Sequence, residues 1–382
     1  MNLLNYLENK PLYYDEIDYT RMPRVYEKIK VSIKTPKIIH IIGTNGKGTT
    51  GRFLATALHN IGFRVGHYTS PHIVEFNERV WLDGQNVSAS VLDNAHKELQ
   101  SMLSNEDASS LSYFEYTTLI AVLIYQDCDF VVMEAGLGGE HDATSVFENI
   151  LTLITPIGYD HQAFLGSTID DIASTKLKAI QKSAILASQP YTQVYEVADF
   201  MAKEKKLVIY KTNDLLDEED EKNIKLISQN LSLAPYLKQN LSLSIAALKF
   251  LKINYSIDDF RDSILFGRLS KIALNVTVDV GHNSLAAKSI AESLKGSYVL
   301  VYNSYSDKNY KEILSILKPI IKRVEIIDIA DNKRVEKREL IEKVLDELSI
   351  TYSSFVGINK KDEYLVFGSF SVVEAFLKVY NK

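Results

Sequence analysis

The sequence predicts an α/β protein in which a parallel-sheet domain with a glycine-rich loop is followed by a smaller Rossmann-like α/β domain. Short apolar runs alternate with longer helical stretches over most of the chain, which is typical of parallel sheets with crossover helices. A glycine-rich turn lies directly between the first apolar run and a helical stretch. The 382 residues are enough for two domains, each with its own hydrophobic core.

The first domain is expected to span residues 1–266. Its predicted buried strands are residues 37–42, 63–68, 129–134, 150–155, 184–187 and 206–210. Its main predicted helices are residues 51–62, ending at Gly62, 115–126 and 239–251. The acidic segment 212–223 interrupts this pattern, and its run of charges favours a solvated loop.

The second domain is expected to span residues 267–382, after a linker near Gly267. Four apolar runs predict strands at residues 276–281, 298–303, 324–329 and 364–369. Helical stretches alternate with them at residues 284–295, 308–321, 334–348 and 371–380. This alternation again indicates a sheet covered by helices.

Composition excludes several classes of function. The formal net charge is −6 and no basic block occurs, so non-specific binding to nucleic acid or to anionic lipid is not expected. The single cysteine, Cys128, excludes an intramolecular disulfide and a cysteine-cluster metal site, and it fits a reducing compartment. The sequence has neither signal-peptide character at its start nor an apolar run of ~18 residues, so we expect a cytoplasmic protein.

The turn from Gly43 to Thr50 has the sequence Gly-Thr-Asn-Gly-Lys-Gly-Thr-Thr. Between a strand and a helix, the backbone N–H groups of such a turn converge on one point, which suits phosphate oxygens. Gly46 and Gly48 permit close approach, Lys47 supplies a charge, and the hydroxyl of Thr49 or Thr50 can reach Mg²⁺. Ile41 stands where the ordinary Walker pattern has glycine, and a tight turn without a ligand is the alternative interpretation.

Polar residues also follow other predicted strands. Glu134 ends one strand beside a glycine-rich turn, a usual place for a carboxylate that holds Mg²⁺, and a residue that only caps the strand is the alternative. His161 follows the next strand, where a structural histidine is the alternative. Asp279, His282 and Asn283 follow the strand at 276–281, where they predict either a ligand crevice or a turn with Asx hydrogen bonds.

The variant loop Gly-Thr-Asn-Gly-Lys-Gly-Thr-Thr resembles the phosphate loop of the ATP-dependent Mur ligase superfamily. Further segments are similar to blocks of the folylpolyglutamate synthase and dihydrofolate synthase family, in the expected order. These are residues 67–85, 113–121, 133–147, 159–176, 279–287, 306–309 and 367–376. The resemblance therefore spans nearly the whole chain and implies a Mur ligase-like ATPase domain followed by the Rossmann-like domain.

The resemblance also implies roles for residues of the first domain. Thr44, Asn45, Gly46, Lys47, Gly48, Thr49, Thr50 and Asn240 would bind ATP, and Ser70, Glu134 and His161, with Thr49, would bind Mg²⁺. Lys176, fifteen positions after His161, matches a lysine that the family carbamylates to bridge a second Mg²⁺. The family's Glu-Lys-Ala-Gly-Ile reads Thr-Lys-Leu-Lys-Ala here, so Lys178 is an alternative, as is an unmodified lysine on a helix surface.

In the second domain, the resemblance implies that Arg268, Asp279 and His282 serve the nucleotide or the reaction and that Asp307 and Lys308 lie near the glutamate site. Asp142 and Thr144 are candidate substrate residues in the loop that meets the folate or pteroate carboxylate. That loop departs from the family pattern, because Glu140, His141 and Ser145 replace arginine, leucine and asparagine. Lys47, Lys176 and His282 are the candidate catalytic residues.

The implied function is an ATP-dependent amide ligase that adds L-glutamate to dihydropteroate and to tetrahydrofolate polyglutamates through an acyl phosphate. We expect a monomeric, bifunctional enzyme. A monofunctional synthase is the nearest alternative. A cell-wall Mur ligase is disfavoured because only 42 residues precede Gly43, and a nucleotide switch is disfavoured because it needs no acyl-transfer site.

Overall fold

The structure is a computed structural model that describes residues 2–10, 18–330 and 332–380. The chain forms two compact units, called unit 1 and unit 2. Unit 1 contains Met1–Gly158, Gln162–Ser232 and Leu237–Ile264, and unit 2 contains Tyr159–His161, Leu233–Tyr236 and Leu265–Lys382. The last change of unit falls between Ile264 and Leu265, close to the expected linker; the assignment of 1–266 and 267–382 to separate domains stays a prediction.

Unit 1 is built on a sheet of eight strands in the described part of the chain, in the order β4-β3-β2-β5-β1-β6-β7-β8. The strands are β1 (Lys37–Ile42), β2 (Val65–Tyr68), β3 (Val80–Leu82), β4 (Gln85–Asn86), β5 (Phe130–Glu134), β6 (Asn149–Ile154), β7 (Ser183–Leu186) and β8 (Val208–Lys211). Strands β2, β5, β1, β6, β7 and β8 run parallel to one another, whereas β3 pairs antiparallel with both β2 and β4. The predicted α/β class is therefore confirmed.

Helices cover this sheet because their apolar faces need burial. They are α1 (Leu3–Glu8), α2 (Arg21–Ile29), α3 (Lys47–Ile61), α4 (Ala89–Met102), α5 (Asn105–Ser110), α6 (Tyr113–Ile124), α7 (Gln162–Leu165), α8 (Ile169–Leu177), α9 (Thr192–Glu204), α10 (Thr212–Leu215), α11 (Glu218–Asn230) and α12 (Pro235–Phe250). Apolar clusters lie beneath them, one of which joins α4 and α6 to β5 and another α8 and α9 to β6 and β7. Among the described residues, no helix has the length and apolar character needed to cross a membrane.

One prediction for unit 1 is wrong. Residues 212–223 are not a loop, because they form α10 and the first half of α11. The acidic side chains are the cause: Asp217 caps α11 by accepting hydrogen bonds from the N–H groups of Glu219 and Asp220, both at 3.0 Å. Carboxylates in a first turn stabilise a helix through its dipole, and Ile224 and Ile227 are buried farther along the same helix.

Unit 2 contains a six-stranded sheet, within the described residues, in the order β13-β12-β11-β14-β10-β9. Its strands are β9 (Ser270–Ala273), β10 (Val276–Val278), β11 (Tyr298–Tyr302), β12 (Ile321–Ile326), β13 (Tyr352–Ser354) and β14 (Glu363–Phe367). Its helices are α13 (Ser284–Ser293), α14 (Tyr310–Leu317), α15 (Arg338–Glu347) and α16 (Phe370–Tyr380). Only β9 runs antiparallel among these pairings, so the unit presents the carboxyl ends of β10, β11 and β14 at one edge.

The strands and helices predicted for unit 2 are all present, with ends that differ by a few residues. Strand β12 begins three positions before the predicted 324–329, and β10 ends three positions before residue 281. The latter strand stops early because Asp279 and the residues after it form a turn. That turn begins the polar edge of unit 2.

Candidate active site

The phosphate loop follows β1 and leads into α3. Gly46 caps the helix with a left-handed φ of 89°, which glycine adopts without strain. Hydrogen bonds from the N–H groups of Thr44 and Asn45 to the carbonyl of Pro156, at 3.0 and 3.2 Å, fix the first half of the loop. The N-terminus of α3 therefore faces the end of the loop with N–H groups that helical geometry leaves without carbonyl partners.

Two hydroxyl groups of the loop are buried without a hydrogen-bond partner. They belong to Thr49 and Thr50, in the first turn of α3. A buried hydroxyl without a partner costs free energy, so such groups are retained where a ligand or an ion completes them. This observation fits a bound nucleotide with a divalent cation better than it fits a tight turn without a ligand.

Lys47 and Glu134 form an ion pair beside this loop. Their charged atoms lie 3.6 Å apart, and only 15% and 6% of the two side chains are exposed. Lys47 Nζ also donates to the carbonyl of Thr44 at 3.4 Å. Because Glu134 is the last residue of β5 and pairs in register with Ile41 of β1, the sheet itself holds the carboxylate next to the loop.

Glu134 accepts hydrogen bonds from the loop that follows β2. The hydroxyl of Thr69 donates to Glu134 Oε2, and the backbone N–H of Ser70 approaches the same oxygen at 3.4 Å. Sequence reasoning named Ser70 and missed Thr69, its neighbour. Oxygen atoms from a carboxylate and hydroxyls are the donors that Mg²⁺ prefers, so these residues fit the cation. Across the described ranges, however, no cluster of three or more His, Cys, Asp or Glu side chains is arranged to hold a metal.

Lys176 is buried rather than on a helix surface, with 4% of the residue exposed. It lies near the end of α8, and its Nζ donates to the carbonyl of Gly43 at 3.0 Å. Lys178 lies instead 3.4 Å from the carboxylate of Glu140. The structure thus brings Lys176, and not Lys178, to the phosphate loop. Lys178 instead pairs with Glu140, the residue that stands where the family has arginine.

Asn240 is buried on α12 beside the phosphate loop. A Cβ placed on Gly46 would overlap Asn240 Oδ1 and lie 3.0 Å from its Cγ. Farther along α12, the hydroxyl of Ser244 donates to the carbonyl of Thr50 at 2.9 Å. Helix α12 therefore supports the loop from the side, and only glycine fits at position 46.

Asp142 and Thr144 bond to their own loop. Asp142 accepts from the N–H groups of Leu137 and Thr144, at 2.7 and 3.0 Å, and from the Thr144 hydroxyl at 2.6 Å. Burial raises the pKa of Asp142, although these hydrogen bonds and the charge of Lys47 oppose it. The contacts shape the glycine-rich turn after β5, while contact of these residues with a substrate stays a prediction.

In unit 2, Asp279 follows β10 and organises the turn. Its carboxylate accepts from Tyr236 Oη and from the N–H groups of Leu269 and Gly281, at 2.9, 2.9 and 2.8 Å. Burial raises the pKa of Asp279, with the nearby charge of Arg268 and these hydrogen bonds acting against the shift. Arg268 lies over the ring of Phe370, 5.5 Å from its centre.

Asp160 was missed by the sequence reasoning and joins several predicted residues of unit 2. It forms an ion pair with Lys308, accepts from Asn283 Nδ2 at 3.1 Å, and lies 3.5 Å from His282 Nε2. Burial alone would raise the pKa of Asp160, but the hydrogen bond from His282 and the positive charges of His161, His282 and Lys308 hold it well below its usual range. The sequence offered only a weak signal, since Asp160 adjoins His161 in the segment that follows a predicted strand.

His282 is placed with an oxygen acceptor near each ring nitrogen. Its Nδ1 lies 3.1 Å from the carbonyl of Val280, and its Nε2 faces Asp160. Each ring nitrogen of His282 therefore has an oxygen atom nearby with which it can share a hydrogen bond. The catalytic role expected for His282 stays a prediction.

The predicted residues divide between the two units. Unit 1 holds Thr44, Asn45, Gly46, Lys47, Gly48, Thr49, Thr50, Ser70, Glu134, Asp142, Thr144, Lys176 and Asn240, and unit 2 holds His161, Arg268, Asp279, His282, Asp307 and Lys308. Fold and site together define a phosphate-loop α/β protein that carries a second, Rossmann-like unit with a polar strand-end cluster.

Comparison with known proteins assigns the family. No protein-family model matches the chain. The chain is 30% identical to the dihydrofolate synthase/folylpolyglutamate synthase of Haemophilus influenzae, over 98% of this chain and 96% of the relative. The chain belongs to the dihydrofolate synthase/folylpolyglutamate synthase family.

Solved structures agree with this assignment. The crystal structure of Helicobacter pylori folylpolyglutamate synthetase is 38% identical, with a TM-score of 0.81 over 99% of this chain and 98% of that one. A structure of the bifunctional enzyme of Yersinia pestis, with Mn, AMPPNP and L-glutamate bound, is 25% identical, with a TM-score of 0.80 over 98% and 96% of the two chains. The predicted two-domain, Mur ligase-like fold is confirmed.

Proposed function

We propose that this protein is an ATP-dependent carboxylate–amine ligase that adds L-glutamate to dihydropteroate and to tetrahydrofolate polyglutamates in folate biosynthesis. The observation that carries the proposal is the phosphate loop, with the buried, unpartnered hydroxyls of Thr49 and Thr50 next to the ion pair of Lys47 and Glu134. The relatives named above support the acceptor and the amine. Coverage of nearly the full length of both chains supports the whole reaction rather than one part of it.

The reaction takes two steps. The carboxylate of the acceptor attacks the γ-phosphorus of ATP, which forms an acyl phosphate and releases ADP. The amine of glutamate then attacks the acyl carbon, so that the amide bond forms and phosphate leaves with the bonding electrons, while the amine loses a proton. Catalysis of phosphoryl transfer depends mainly on position and charge, and this chain supplies Lys47 and the N–H groups of the loop and of α3.

A divalent cation fits the oxygen donors of this site. Thr49, Ser70 and Glu134 in unit 1 are the residues that would hold it. The role of His161 as a magnesium ligand, which the family resemblance implies, stays a prediction. When bound, Mg²⁺ neutralises part of the phosphate charge. Glu134 would hold the cation in a fixed position, because strand β5 fixes the residue and the hydroxyl of Thr69 donates a hydrogen bond to its carboxylate.

A second cation and carbamylation of Lys176 are further proposals. Burial of Lys176 and its contact with Gly43 place the amine next to the loop and support the choice of this lysine over Lys178. Carbamylation would replace a donor by a carboxylate-like acceptor that can bind a cation. Activity lost in carbonate-free buffer and restored by bicarbonate is the expected result, and activity that ignores bicarbonate would refute the carbamate.

ADP release in the presence of ATP and Mg²⁺ tests the function. We expect ADP formation over many turnovers only when both glutamate and an acceptor are present, with dihydropteroate and a monoglutamyl tetrahydrofolate both serving. ADP release that ignores glutamate and acceptor would refute the ligase and favour a nucleotide switch. Turnover of only one acceptor would refute bifunctionality while leaving the ligase reaction in place.

We also propose that the enzyme is a cytoplasmic monomer whose partners are small molecules and neither nucleic acid nor membrane. The net charge of −6 supports this proposal, because it gives no general attraction for polyanions. Sedimentation at working concentration is the test, with a single species of about 43.2 kDa expected.

A further inference from the structure

The carboxylate of Asp160 joins three segments of unit 2: its own and two that supply hydrogen-bond donors. Asp160 lies on Tyr159–His161, Lys308 lies in the loop between β11 and α14, and Asn283 caps α13. Only 7% of the Asp160 side chain is exposed. Segments distant in the sequence are therefore tied to one buried charge.

Lys308 depends on this carboxylate. Its side chain is 4% exposed, and a buried ammonium group is tolerated only where an anion pairs with it. The other carboxylate within reach, Asp307, lies 3.3 Å away, is 43% exposed, and is itself engaged by Arg334 at 2.9 Å. Asp160 is thus the buried counterion of Lys308, and Asp307 is a shared, solvated one.

Asp160 also fixes the turn after β10. Asn283 donates to Asp160 through Nδ2, at 3.1 Å, while its Oδ1 accepts from the N–H of Ala286 at 2.9 Å and begins α13. His282, one residue earlier, points its Nε2 at the same carboxylate. One side chain therefore determines where Lys308 stands relative to the N-terminus of α13.

We propose that Asp160 is a positioning residue that orients Lys308 and the His282–Asn283 turn for glutamate. This inference rests on the proposed function, because Lys308 is the residue expected near the glutamate site. Asp160 does not touch the substrate: it acts by keeping the ammonium of Lys308 and the start of α13 in one fixed arrangement. Its loss changes the capture of glutamate and leaves the phosphate loop of unit 1 unaltered.

Asp160→Asn is the main test, with Asp362→Asn as its matched control. Asp362 is a carboxylate of unit 2 with 9% of its side chain exposed, and it pairs with Lys322 and Arg323 at 2.6 and 3.0 Å, away from the predicted site residues. We expect Asp160→Asn to raise KM for glutamate about tenfold or more, as suits loss of a hydrogen bond to a charged group. KM for ATP and the Mg²⁺ concentration for half-maximal activity should stay within about twofold, and Asp362→Asn should leave all three unchanged.

Several outcomes would overturn the proposal. An unchanged KM for glutamate refutes positioning, a parallel rise in KM for ATP indicates a general structural role, and a raised Mg²⁺ requirement alone indicates an effect through His161. Asp160→Glu keeps the charge, so it should recover part of the lost affinity; no recovery contradicts the role of the carboxylate. If Asp160→Asn does not fold, Asp160→Glu alone must raise KM for glutamate several-fold, since it moves the carboxylate.

A double-variant cycle separates this proposal from the function on which it rests. If Asp160 acts partly through Lys308, Asp160→Asn should raise KM for glutamate by a smaller factor in the Lys308→Met background than in the unmodified protein. Additive effects would refute the coupling. Failure of the unmodified protein to form ADP with glutamate and either acceptor would instead refute the proposed function.

Discussion

The two ends of α3 offer a matched pair of glycine substitutions. Gly46 at the start and Gly62 at the end both have left-handed backbones, with φ of 89° and 117°. A side chain at either position costs about 1–2 kcal/mol from conformation alone. The two positions differ in surroundings: a Cβ at Gly62 meets nothing within 4 Å, whereas one at Gly46 overlaps the side chain of buried Asn240.

The overlap sets the size of the expected effect at Gly46. A Cβ there would lie 3.0 Å from Asn240 Cγ, against ordinary carbon contacts of about 3.5–4.0 Å, so the loop or Asn240 must shift. A misplacement of about 1 Å at a reacting group can cost about 100-fold in rate. We therefore expect Gly46→Ala to lower kcat/KM for ATP by about 10- to 100-fold, while Gly62→Ala leaves it within about twofold.

Two measurements on the same preparations of Gly46→Ala and Gly62→Ala test this prediction. Denaturant unfolding should show that Gly62→Ala loses about 1–2 kcal/mol and that Gly46→Ala loses at least as much, because the backbone cost is shared and only Gly46→Ala adds an overlap. Glutamate-dependent ADP release should separate them, because only Gly46→Ala disturbs the loop. Equal kcat/KM for ATP in the two variants would refute the view that Gly46 and Asn240 together shape the nucleotide site.

Three further changes test other parts of unit 1. Lys47→Met should lower kcat/KM for ATP about 100-fold or more in the ADP assay, because the variant lacks the positive charge that stabilises the transferring phosphoryl group. Near-normal activity would contradict this role of Lys47. Gly139→Ala should reduce ligase activity at least tenfold, since its Cβ would lie 2.6 Å from the Cα of Lys176 and backbone cannot yield as a flexible side chain can; unchanged activity would separate Lys176 from catalysis. Burial lowers the pKa of His40 to about 4, so the unfolded chain binds more protons between that value and about 6.5, and the free energy of unfolding decreases by about 3 kcal/mol as the pH is lowered from about 6.5 to about 4. Denaturant unfolding of His40→Gln should lack this fall, and parallel pH profiles for the two proteins would count against it.

The sequence predicted the strands well because burial on both faces of a parallel sheet demands continuous apolar runs. The segment Lys37–Ile42 is such a run, and its bounds agree with the prediction. The acidic segment 212–223 was misinterpreted because its charges suggested solvation, whereas their position at a helix start is stabilising. The turn at Asp83-Gly84 between β3 and β4 carried a hairpin signal that went unused.

Site residues were predictable where a local pattern carries the chemistry, as in the loop from Gly43 to Thr50. Asp160 and Thr69 were missed for a different reason. Each acts through residues far away in the sequence: Thr69 through Glu134, and Asp160 through Lys308. Spacing along the chain contains no direct information on such contacts, because the pairing exists only once the strands are assembled.

In each unit, the lysine that is the main candidate for binding an anion forms an ion pair with a buried carboxylate. Lys47 stands beside Glu134 in unit 1, and Lys308 beside Asp160 in unit 2. In both pairs the charge of the lysine is therefore partly offset, in a chain of net charge −6 that is expected to bind anions. An ion pair holds the lysine side chain in one place, and the carboxylate orients the lysine. The carboxylate of Glu134 would also bind the divalent metal cation. Recognition of phosphate and carboxylate groups must then depend on oriented N–H groups, helix N-termini and a divalent ion as well as on these lysines, and its strength depends on geometry rather than on excess charge.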